Sequence, residues 1–312
     1  MKTISVVTPC FNEEASIVEC VETVRAVFAR HLPDYALEHI FCDNASTDRT
    51  VGILKEISKQ HANVKIIVNS RNFGILKNTY NGVLATSGDA IVLFMPVDLQ
   101  DPPDLIPEMV RLWEQGYEIV YGVRARREEN VIMSLVRKAY YRILSRVSYV
   151  DYPPDAGDFQ FVDRRVLDTM KSVYDAQPFM RMMTFDCGFR SIGMKYTWKA
   201  RKHGTSRNQL SHMLEQGING IISFSVTPIR ISLFAGFFIS LLSLLYAISV
   251  TLMALAGKID SLAGIPTIIV ALFFFGGVQL FFLGVIGEYV LAIYNQVRHK
   301  PLVVERERIN FE

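Results

Sequence analysis

The residues with the clearest chemical potential lie in the stretch FMPVDLQDPP, residues 94–103. Asp98 and Gln100 offer a carboxylate and an amide oxygen, and oxygen atoms are the ligands that hard divalent cations prefer. Position 96, where an Asp would complete an Asp-x-Asp pair, holds Pro96. The stretch is therefore either a cation site built around one carboxylate or a polar turn.

A polar turn of this kind needs a strand to position it, and the first 125 residues alternate strand and helix signals. Apolar runs predict five strands, within residues 4–9, 37–42, 64–68, 90–95 and 118–123. Between the first two runs, helical spacing joins Ile17, Val21, Val24 and Phe28. This alternation predicts an α/β fold with a mostly parallel, doubly wound sheet, which binds ligands at the carboxyl ends of its strands.

Polar side chains collect after all five predicted strands. They are Asn12 and Glu13; Asp43, Asn44, Ser46 and Asp48; Arg71 and Asn72; Asp98, Gln100 and Asp101; and Arg124, Arg126 and Arg127. Any single cluster fits ordinary turn chemistry, since Asp, Asn and Ser favour turns and helix caps. Ser46 to Asp48 and Asp101 with its two following prolines are predicted to begin helices. Five clusters on one edge nevertheless predict a ligand site.

Composition and missing motifs exclude several function classes. The 312 residues carry a net charge of +2, so the charge balance gives no reason to expect a nucleic-acid partner. No GxGxxG follows the first strand and no GxxxxGK[ST] occurs, which argues against a dinucleotide-binding site and a P-loop. No signal peptide is expected at the N-terminus. Cys10, Cys20, Cys42 and Cys187 lack metal-ligand spacing and are expected to be reduced thiols.

Two uncharged apolar runs, residues 231–257 and 261–287, each exceed the roughly 20 residues that span a bilayer. Buried core helices are the alternative. Cationic residues flank the pair on both sides, while the link between the runs holds only Lys258 and Asp260. They are Arg201, Lys202, Arg207 and Arg230 before it, and Arg298, Lys300, Arg306 and Arg308 after it. The positive-inside rule then places both termini and the N-terminal domain in the cytoplasm.

The segment 205–228 carries an apolar stripe at helical spacing. Its members are Leu210, Met213, Leu214, Ile218, Ile221 and Ile222. An amphipathic helix in the membrane interface has this pattern, and so does a helix packed on a core.

Six motifs occur in an order that resembles family 2 glycosyltransferases: PCFNEE, CDNASTD, NFG, DLQDPP, AGDFQFVDRR and RKHGTSR. More narrowly, nearly the whole chain resembles polyprenyl-phosphate glycosyltransferases, the group of dolichyl-phosphate mannose synthases and bactoprenol glucosyltransferases. The resemblance implies a GT-A fold and inverting transfer of a sugar, UDP-linked by expectation, to a polyprenyl phosphate such as undecaprenyl phosphate. It also implies a homotetramer in the inner (plasma) membrane.

The resemblance divides the chain into a GT-A domain (1–204), an interfacial segment (205–228), two transmembrane helices within 229–297 (231–257 and 261–294) and a cytoplasmic tail (298–312). It also implies a donor pocket. The pocket comprises Pro9, Phe11, Asn12, Glu13, Asp43, Asp48 and Asn72. Within it, Asp43 would accept a hydrogen bond from the base. Phe11 either packs nearby or is a core aromatic, and Asp48 either binds donor or begins its helix.

By the same resemblance, Asp98 and Gln100 are metal ligands for Mg²⁺ or Mn²⁺. Because Pro96 replaces a common Asp, we expect metal binding to depend on Asp98 and the donor phosphates, and to be weak without nucleotide. Asp158 matches an acidic residue that is often proposed as the catalytic base, and an orienting role is the alternative. A lipid phosphate has its second pKa near 6, so the nucleophile is largely deprotonated at neutral pH and the orienting role is favoured.

Four arginines are candidates for phosphate contacts: Arg124, Arg137, Arg201 and Arg207. Arg201 and Arg207 either clamp a phosphate bidentately or form a positive-inside patch on anionic lipid. Arg137 either binds the acceptor phosphate or lies on the solvated face of a helix. Ile75 and Leu76 stand where close relatives often carry Lys-Glu, and that departure bears on donor or acceptor preference.

Two other functions compete. A processive polysaccharide synthase of the same superfamily expects a QxxRW-type motif and more membrane spans. Neither Trp113 nor Trp198 follows an Arg, and two spans are too few to form a channel. The other is a membrane scaffold that kept the fold and lost its metal site through Pro96.

Overall fold

In a computed structural model, the described residues are 1–124, 150, 153, 156–173, 175–197, 225–256 and 265–311. The chain divides into two compact units. The first comprises residues 1–146, 150–213 and 299–312, and the second comprises residues 147–149 and 214–298. Arg137, Arg201, Arg207 and most of the predicted interfacial segment lie outside the described residues.

The described part of the first unit is built on an eight-stranded mixed sheet. Its strands are β1 (Lys2–Cys10), β2 (Tyr35–Asp43), β3 (Val64–Asn69), β4 (Ala90–Val92), β5 (Ile119–Arg124), β6 (Ala156–Asp163), β7 (Ser191–Tyr196) and β8 (Glu305–Ile309). The strand order is β7-β5-β6-β4-β1-β2-β3-β8. Only β6 and β8 pair antiparallel to their neighbours. The prediction of a mostly parallel α/β sheet is confirmed.

The insertion of β6 decides which residues reach the carboxyl edge. It runs antiparallel between β4 and β5, with Phe161 opposite Val92 and Ala156 opposite Val123. The start of β6, including Asp158, therefore lies at the edge where β4 and β5 end. Sequence alternation alone predicts β5 beside β4 and does not predict this strand between them.

The helices that accompany the sheet are α1 (Ile17–His31), α2 (Thr50–Gln60), α3 (Ile75–Leu84), α4 (Ile106–Glu114), α5 (Arg164–Ser172) and α6 (Met180–Asp186), with a short 3-10 turn at Pro103–Leu105. All four residues of the predicted apolar stripe in α1 are buried, which confirms that helix. Branched and aromatic side chains of the described strands and helices pack into hydrophobic cores, in which Phe41, Phe159 and Phe161 are fully buried.

The fourth strand is shorter than predicted, ending at Val92 rather than at residue 95. The chain beyond it stays tied to both neighbours, because Leu93 N–H donates to the Gln160 carbonyl at 2.9 Å and Met95 N–H donates to the Val7 carbonyl at 2.8 Å. Pro96 has no N–H to continue the pattern. The proline thus marks where the chain turns away from the sheet.

Within the segment predicted as a cytoplasmic tail, residues 298–312, the strand β8 belongs to the first unit's sheet. This strand pairs antiparallel with β3, and Lys55 Nζ lies 2.6 Å from Glu307 Oε2. Asn310 Nδ2 donates to the carbonyls of Ser58 at 3.0 Å and Val64 at 2.8 Å. The segment satisfies backbone groups of an otherwise open edge strand, which is the physical reason for its order.

The second unit contains two long helices, α7 (Thr227–Leu255) and α8 (Ile265–Val297). Each holds a 27-residue stretch of high mean hydropathy, 2.2 and 1.8, whose side chains are unburied within the molecule. At about 1.5 Å per residue, such a stretch is about 40 Å long, enough to cross a hydrocarbon layer of about 30 Å. Length and composition therefore suit membrane spans.

Candidate active site

Backbone strain concentrates at the carboxyl edge of the sheet. Asn12, Ala45 and Leu99, which follow β1, β2 and β4, have φ values of 55°, 64° and 55°. Residues other than glycine rarely adopt a positive φ, and the conformation persists where the surroundings enforce it. Three of the five residues of this kind in the described part of the chain therefore lie on the edge where the sequence predicts a ligand site.

Asp98 and Gln100 share one tight turn after β4. Leu99 N–H donates to the Pro96 carbonyl at 3.0 Å, and Gln100 N–H donates to Asp98 Oδ1 at 3.2 Å. Both side chains are partly buried. Pro96 therefore begins the turn that displays the two predicted metal ligands.

The donor set of this turn fits a hard divalent cation, because it offers carboxylate and amide oxygens. Within the described residues, no group of three or more His, Cys, Asp or Glu side chains is arranged to hold a metal. The turn by itself would therefore supply only part of a ligand shell.

Asp101 is not the N-cap that its sequence predicts. The 3-10 turn that precedes α4 begins at Pro103 with no capping side chain. The Asp101 carboxylate, only 1% exposed, instead accepts hydrogen bonds from Arg124 Nη2, 3.2 Å from both oxygens, and from the Tyr196 hydroxyl. Burial raises the pKa of Asp101, and the Arg124 guanidinium opposes that rise. The predicted phosphate ligand Arg124 is therefore ion-paired inside the protein.

Asp158 is paired as well. Arg181 of α6 donates from Nε to Asp158 Oδ1 at 2.8 Å and from Nη2 to Oδ2, a bidentate contact. The Asp158 side chain remains 36% exposed, while Arg181 is 16% exposed. The two hydrogen bonds from one guanidinium hold this carboxylate in one orientation.

Two residues of the predicted nucleotide-sugar pocket link the ends of β1 and β2 by hydrogen bonds. Asp43 is fully buried, and Ser46 donates to both of its oxygens, from N–H to Oδ2 at 2.9 Å and from the hydroxyl to Oδ1. Burial raises the pKa of Asp43, and these hydrogen bonds oppose the rise. Asn12 N–H donates to Ser46 Oγ at 2.9 Å, and its Oδ1 accepts from Thr47 N–H at 2.8 Å.

Two other residues of the predicted nucleotide-sugar pocket accept hydrogen bonds at the starts of helices. The Glu13 carbonyl accepts from Ser16 and Ile17 N–H, at 3.0 and 3.1 Å, where α1 begins. Asp48 Oδ1 accepts from Thr50 N–H at 2.9 Å, the first residue of α2, and Oδ2 accepts from Glu14 N–H at 3.2 Å. Asp48 is therefore observed to begin its helix, and its contact with the nucleotide sugar stays a prediction.

The loop after β3 is held by side-chain amides. Asn72 Oδ1 accepts from Asn44 Nδ2 and from Gly74 N–H, both at 2.9 Å, and Asn44 Oδ1 accepts from Phe73 N–H at 2.9 Å. Gly74 has φ 87°, a conformation natural to glycine. Asn72, a residue of the predicted nucleotide-sugar pocket, thus fixes the NFG motif beside the end of β2. Pro9 is buried in β1, and Phe11 is partly buried just beyond it.

The fold brings the described candidates to one edge, and it adds residues that sequence reasoning did not name. Arg181 and Tyr196 hold the two carboxylates Asp158 and Asp101. A charged residue among the apolar side chains of PFMRMM was the available signal for Arg181. Tyr196, in a strand with mixed exposure, gave none.

The family model described as "Glycosyl transferase family 2" matches residues 5–170, which include Asp43, Asp98, Gln100, Asp101 and Asp158 and leave out Arg181 and Tyr196. The chain belongs to glycosyl transferase family 2. It is accordingly a glycosyltransferase, as the order of its motifs predicts.

Relatives match this glycosyltransferase over nearly its full length. The uncharacterized glycosyltransferase YkcC of Bacillus subtilis (strain 168) is 36% identical over 99% of this chain and 94% of the relative. The bactoprenol glucosyl transferase of Shigella phage SfV is 29% identical over 98% of this chain and 99% of its own. The SfII prophage-derived bactoprenol glucosyl transferase of Shigella flexneri is 30% identical over 96% of each chain.

Solved structures establish the GT-A fold. Glucosyl-3-phosphoglycerate synthase of Mycobacterium tuberculosis, in complex with Mn²⁺, UDP and phosphoglyceric acid, aligns with a TM-score of 0.51 at 22% identity, over 71% of this chain and 78% of that one. The mannosyltransferase PcManGT of Pyrobaculum calidifontis, with GDP-Man and Mn²⁺, aligns with a TM-score of 0.50 at 16% identity, over 95% and 88%.

Proposed function

We propose that this glycosyltransferase moves a sugar, with inversion, from a UDP-linked donor to polyprenyl phosphate at the cytoplasmic face of the plasma membrane. One observation carries the proposal. The similarity to the two bactoprenol glucosyl transferases extends over 98% and 96% of this chain, so it includes the two apolar helices as well as the sheet domain. A lipid acceptor accounts for those helices, because they would hold the enzyme at the membrane that contains the acceptor.

The proposed reaction is a single displacement at the anomeric carbon. A lipid-phosphate oxygen attacks that carbon, its bond to the donor diphosphate oxygen breaks, and the nucleoside diphosphate leaves with the electron pair. The second pKa of a phosphate monoester lies near 6, so the nucleophile is deprotonated at neutral pH and requires no base. Asp158, held by the Arg181 fork, then orients substrate rather than removing a proton.

Asp98 and Gln100 are the residues that would hold Mg²⁺ or Mn²⁺. When bound, a divalent cation neutralises the charge that develops on the leaving diphosphate. Because the turn supplies one carboxylate and one amide, donor phosphate oxygens must complete the ligand shell. We therefore expect cation binding to be weak in the absence of nucleotide.

The membrane part of the proposal places α7 and α8 across the bilayer, with the GT-A domain and both termini in the cytoplasm. The excess of cationic residues flanking the pair supports that orientation. Arg137, Arg201 and Arg207 are the phosphate-binding candidates of the proposal, while Arg124, the fourth candidate from the sequence, is ion-paired with Asp101. A homotetramer, as the resemblance implies, is measurable by native mass spectrometry of the full-length protein.

The test incubates the full-length protein in lipid nanodiscs with undecaprenyl phosphate, Mn²⁺ or Mg²⁺, and a panel of nucleotide sugars that includes UDP-glucose and UDP-N-acetylhexosamines. Mass spectrometry of the lipid fraction should show one added sugar, and NMR of the product should show an inverted anomeric centre. Asp98→Asn should abolish most product, whereas Asp104→Asn, an equivalent change at an exposed position beside it, should not.

Three other results would contradict the proposal. Polymeric products would indicate a processive polysaccharide synthase, and a retained anomeric configuration would exclude the single displacement. Absence of lipid product with every donor, together with no nucleotide binding by calorimetry, would indicate a membrane scaffold of the same fold.

A further inference from the structure

Three side chains from three separate segments close a largely buried ring next to the Asp98–Gln100 turn, in which the Arg124 side chain keeps 21% exposure. Asp101 accepts from Arg124 and from Tyr196, and Arg124 Nε donates to the Tyr196 hydroxyl at 3.1 Å. Asp101 comes from the loop after β4, while Arg124 and Tyr196 are the last residues of β5 and β7. Each member of the ring contacts the other two.

The ring is not needed to join β5 to β7. These strands already pair in parallel along their whole length, and Arg124 lies directly opposite Tyr196 in the ladder. What the ring adds is the carboxylate of a loop residue. Burying a carboxylate is costly unless it is paired and hydrogen-bonded, and here both conditions are met. The ring therefore ties the loop after β4 to the β5–β7 side of the sheet.

That loop carries a strained turn. Leu99 has φ 55°, which costs roughly 1–2 kcal/mol for a residue other than glycine. On one side of the turn, Met95 N–H is tied to β1, and on the other side Asp101 is tied to the ring. A strained conformation of this kind persists where its surroundings over-determine it. Both ends of the turn are thus anchored to strands.

We propose that Asp101, Arg124 and Tyr196 are positioning residues for the Asp98–Gln100 turn, and that Arg124 acts through Asp101 rather than on a phosphate. This inference rests on the proposed function, because it takes Asp98 and Gln100 as ligands of the donor's cation. It assigns to Arg124 a different role from the phosphate contact that the resemblance implies. Groups that hydrogen-bond to metal ligands typically change metal affinity by about 10–100-fold when they are replaced, and Arg124 and Tyr196 act one contact further out, through Asp101.

Tyr196→Phe tests the proposal, since it removes one hydroxyl and leaves the ring system in place. Its control is Tyr35→Phe, which also removes a tyrosine-to-carboxylate hydrogen bond, the one to Glu114, at the start of β2 on the opposite edge. Calorimetry on the full-length proteins measures UDP affinity with Mn²⁺ and again with EDTA, in the absence of acceptor. Electron paramagnetic resonance measures Mn²⁺ binding in the presence of UDP.

We expect Tyr196→Phe to weaken Mn²⁺-dependent UDP binding by about 10-fold or more, while UDP affinity in EDTA stays within two-fold of wild type. Tyr35→Phe should change neither affinity. A merely structural ring would lower the melting temperature and leave the Mn²⁺-dependent gain in UDP affinity unchanged. That last result would overturn the inference.

A second set of variants separates the two roles of Arg124 and covers a failure of Tyr196→Phe to fold. If Arg124 acts through Asp101, then Arg124→Gln and Asp101→Asn should weaken Mn²⁺-dependent UDP binding by similar factors, and the double variant should resemble either single one. If Arg124 instead binds the acceptor phosphate, Arg124→Gln should leave UDP binding intact and raise only the KM for lipid. That outcome overturns the inference and leaves the proposed function standing, whereas no UDP binding by wild type removes both.

Discussion

Asp158→Asn is the substitution that separates the two possible roles of this carboxylate. In the structure both oxygens accept from the Arg181 guanidinium, one of them at 2.8 Å. Two hydrogen bonds from one guanidinium fix the direction of both carboxylate oxygens, so the side chain is a rigid reference point for a substrate. We expect the variant to orient the substrate poorly, while the acceptor phosphate still attacks without a base.

The expected magnitude follows from the exposure of the pair. Hydrogen bonds to charged groups contribute about 1.5–3 kcal/mol, and pairs in solvent contribute about 0–1 kcal/mol. Because Asp158 is 36% exposed and Arg181 only 16%, a loss of about 2 kcal/mol is expected. For a domain of this size that corresponds to a fall in melting temperature of roughly 4–8 °C. If the same loss appears in the transition state, kcat falls by about 30-fold.

The assay measures kcat between pH 5 and pH 9 with the lipid-phosphate acceptor. On the acidic side of the profile, kcat should fall because the acceptor phosphate becomes protonated near its second pKa of about 6. The same fall should therefore persist in Asp158→Asn. Asp168→Asn, the same change at an exposed position of α5, should match wild type throughout.

A general base would give a different result. Its removal typically costs about 10²–10⁴-fold in rate, and the acidic limb of the profile would vanish with it. If Asp158→Asn shows both effects, the reasoning from the Arg181 pair is wrong.

Three further predictions concern stability. Gly82→Ala should destabilise the protein by about 1–3 kcal/mol, because a Cβ there would lie 2.0 Å from Cys42 Sγ. Gly52→Ala in α2 should instead stabilise the protein by roughly 0.5–1 kcal/mol, because a Cβ there has nothing within 4 Å. Burial raises the pKa of Glu38, but hydrogen bonds from its neighbours offset this and leave the pKa below its ordinary 4.5. Glu38 therefore stabilises the fold above that pH, and this contribution is lost as the pH falls through the folded-state pKa, so Glu38→Gln should flatten the acid side of a pH–stability curve. Deleting residues 301–312 should lower the melting temperature and promote self-association, since it uncovers the edge of β3.

Thermal unfolding monitored by circular dichroism checks the first two of these predictions, and light scattering with thermal unfolding checks the third. Equal effects of the two glycine substitutions would show that α3 can move away from β2. An unchanged acid slope in Glu38→Gln would show that its hydrogen bonds are equally available in the unfolded chain. A truncated protein with unchanged stability and monodispersity would show that β8 contributes nothing to the sheet.

Much of the fold was predictable because local patterns carry it. Helical spacing in α1 and the alternation of apolar strands with helices gave the parallel part of the sheet, and the buried stripe of α1 agrees with it. The site edge followed from the rule that ligands bind at the carboxyl ends of such strands. The position of Asp98 and Gln100 at this edge was predictable for the same reason, since they follow the apolar run 90–95 that contains β4.

The partners of the charged residues were not predictable. Asp101 has the sequence signature of a helix cap, yet it is buried against side chains 23 and 95 residues away. No local pattern encodes such distant contacts, because they depend on which strands become neighbours. The same holds for Arg181 and Asp158, which are brought together when α6 packs beside the start of β6.

The sequence by itself determined the α/β alternation, the two apolar helices and the glycosyltransferase family, because hydropathy, periodicity and motif order are local properties of a chain. Only the tertiary structure decided that β6 enters the sheet antiparallel and that the C-terminal segment closes its edge as β8. Strand neighbours are selected by the burial and backbone pairing of the whole sheet rather than by any one segment. That selection brings Asp158 to the site and binds Arg124 to Asp101.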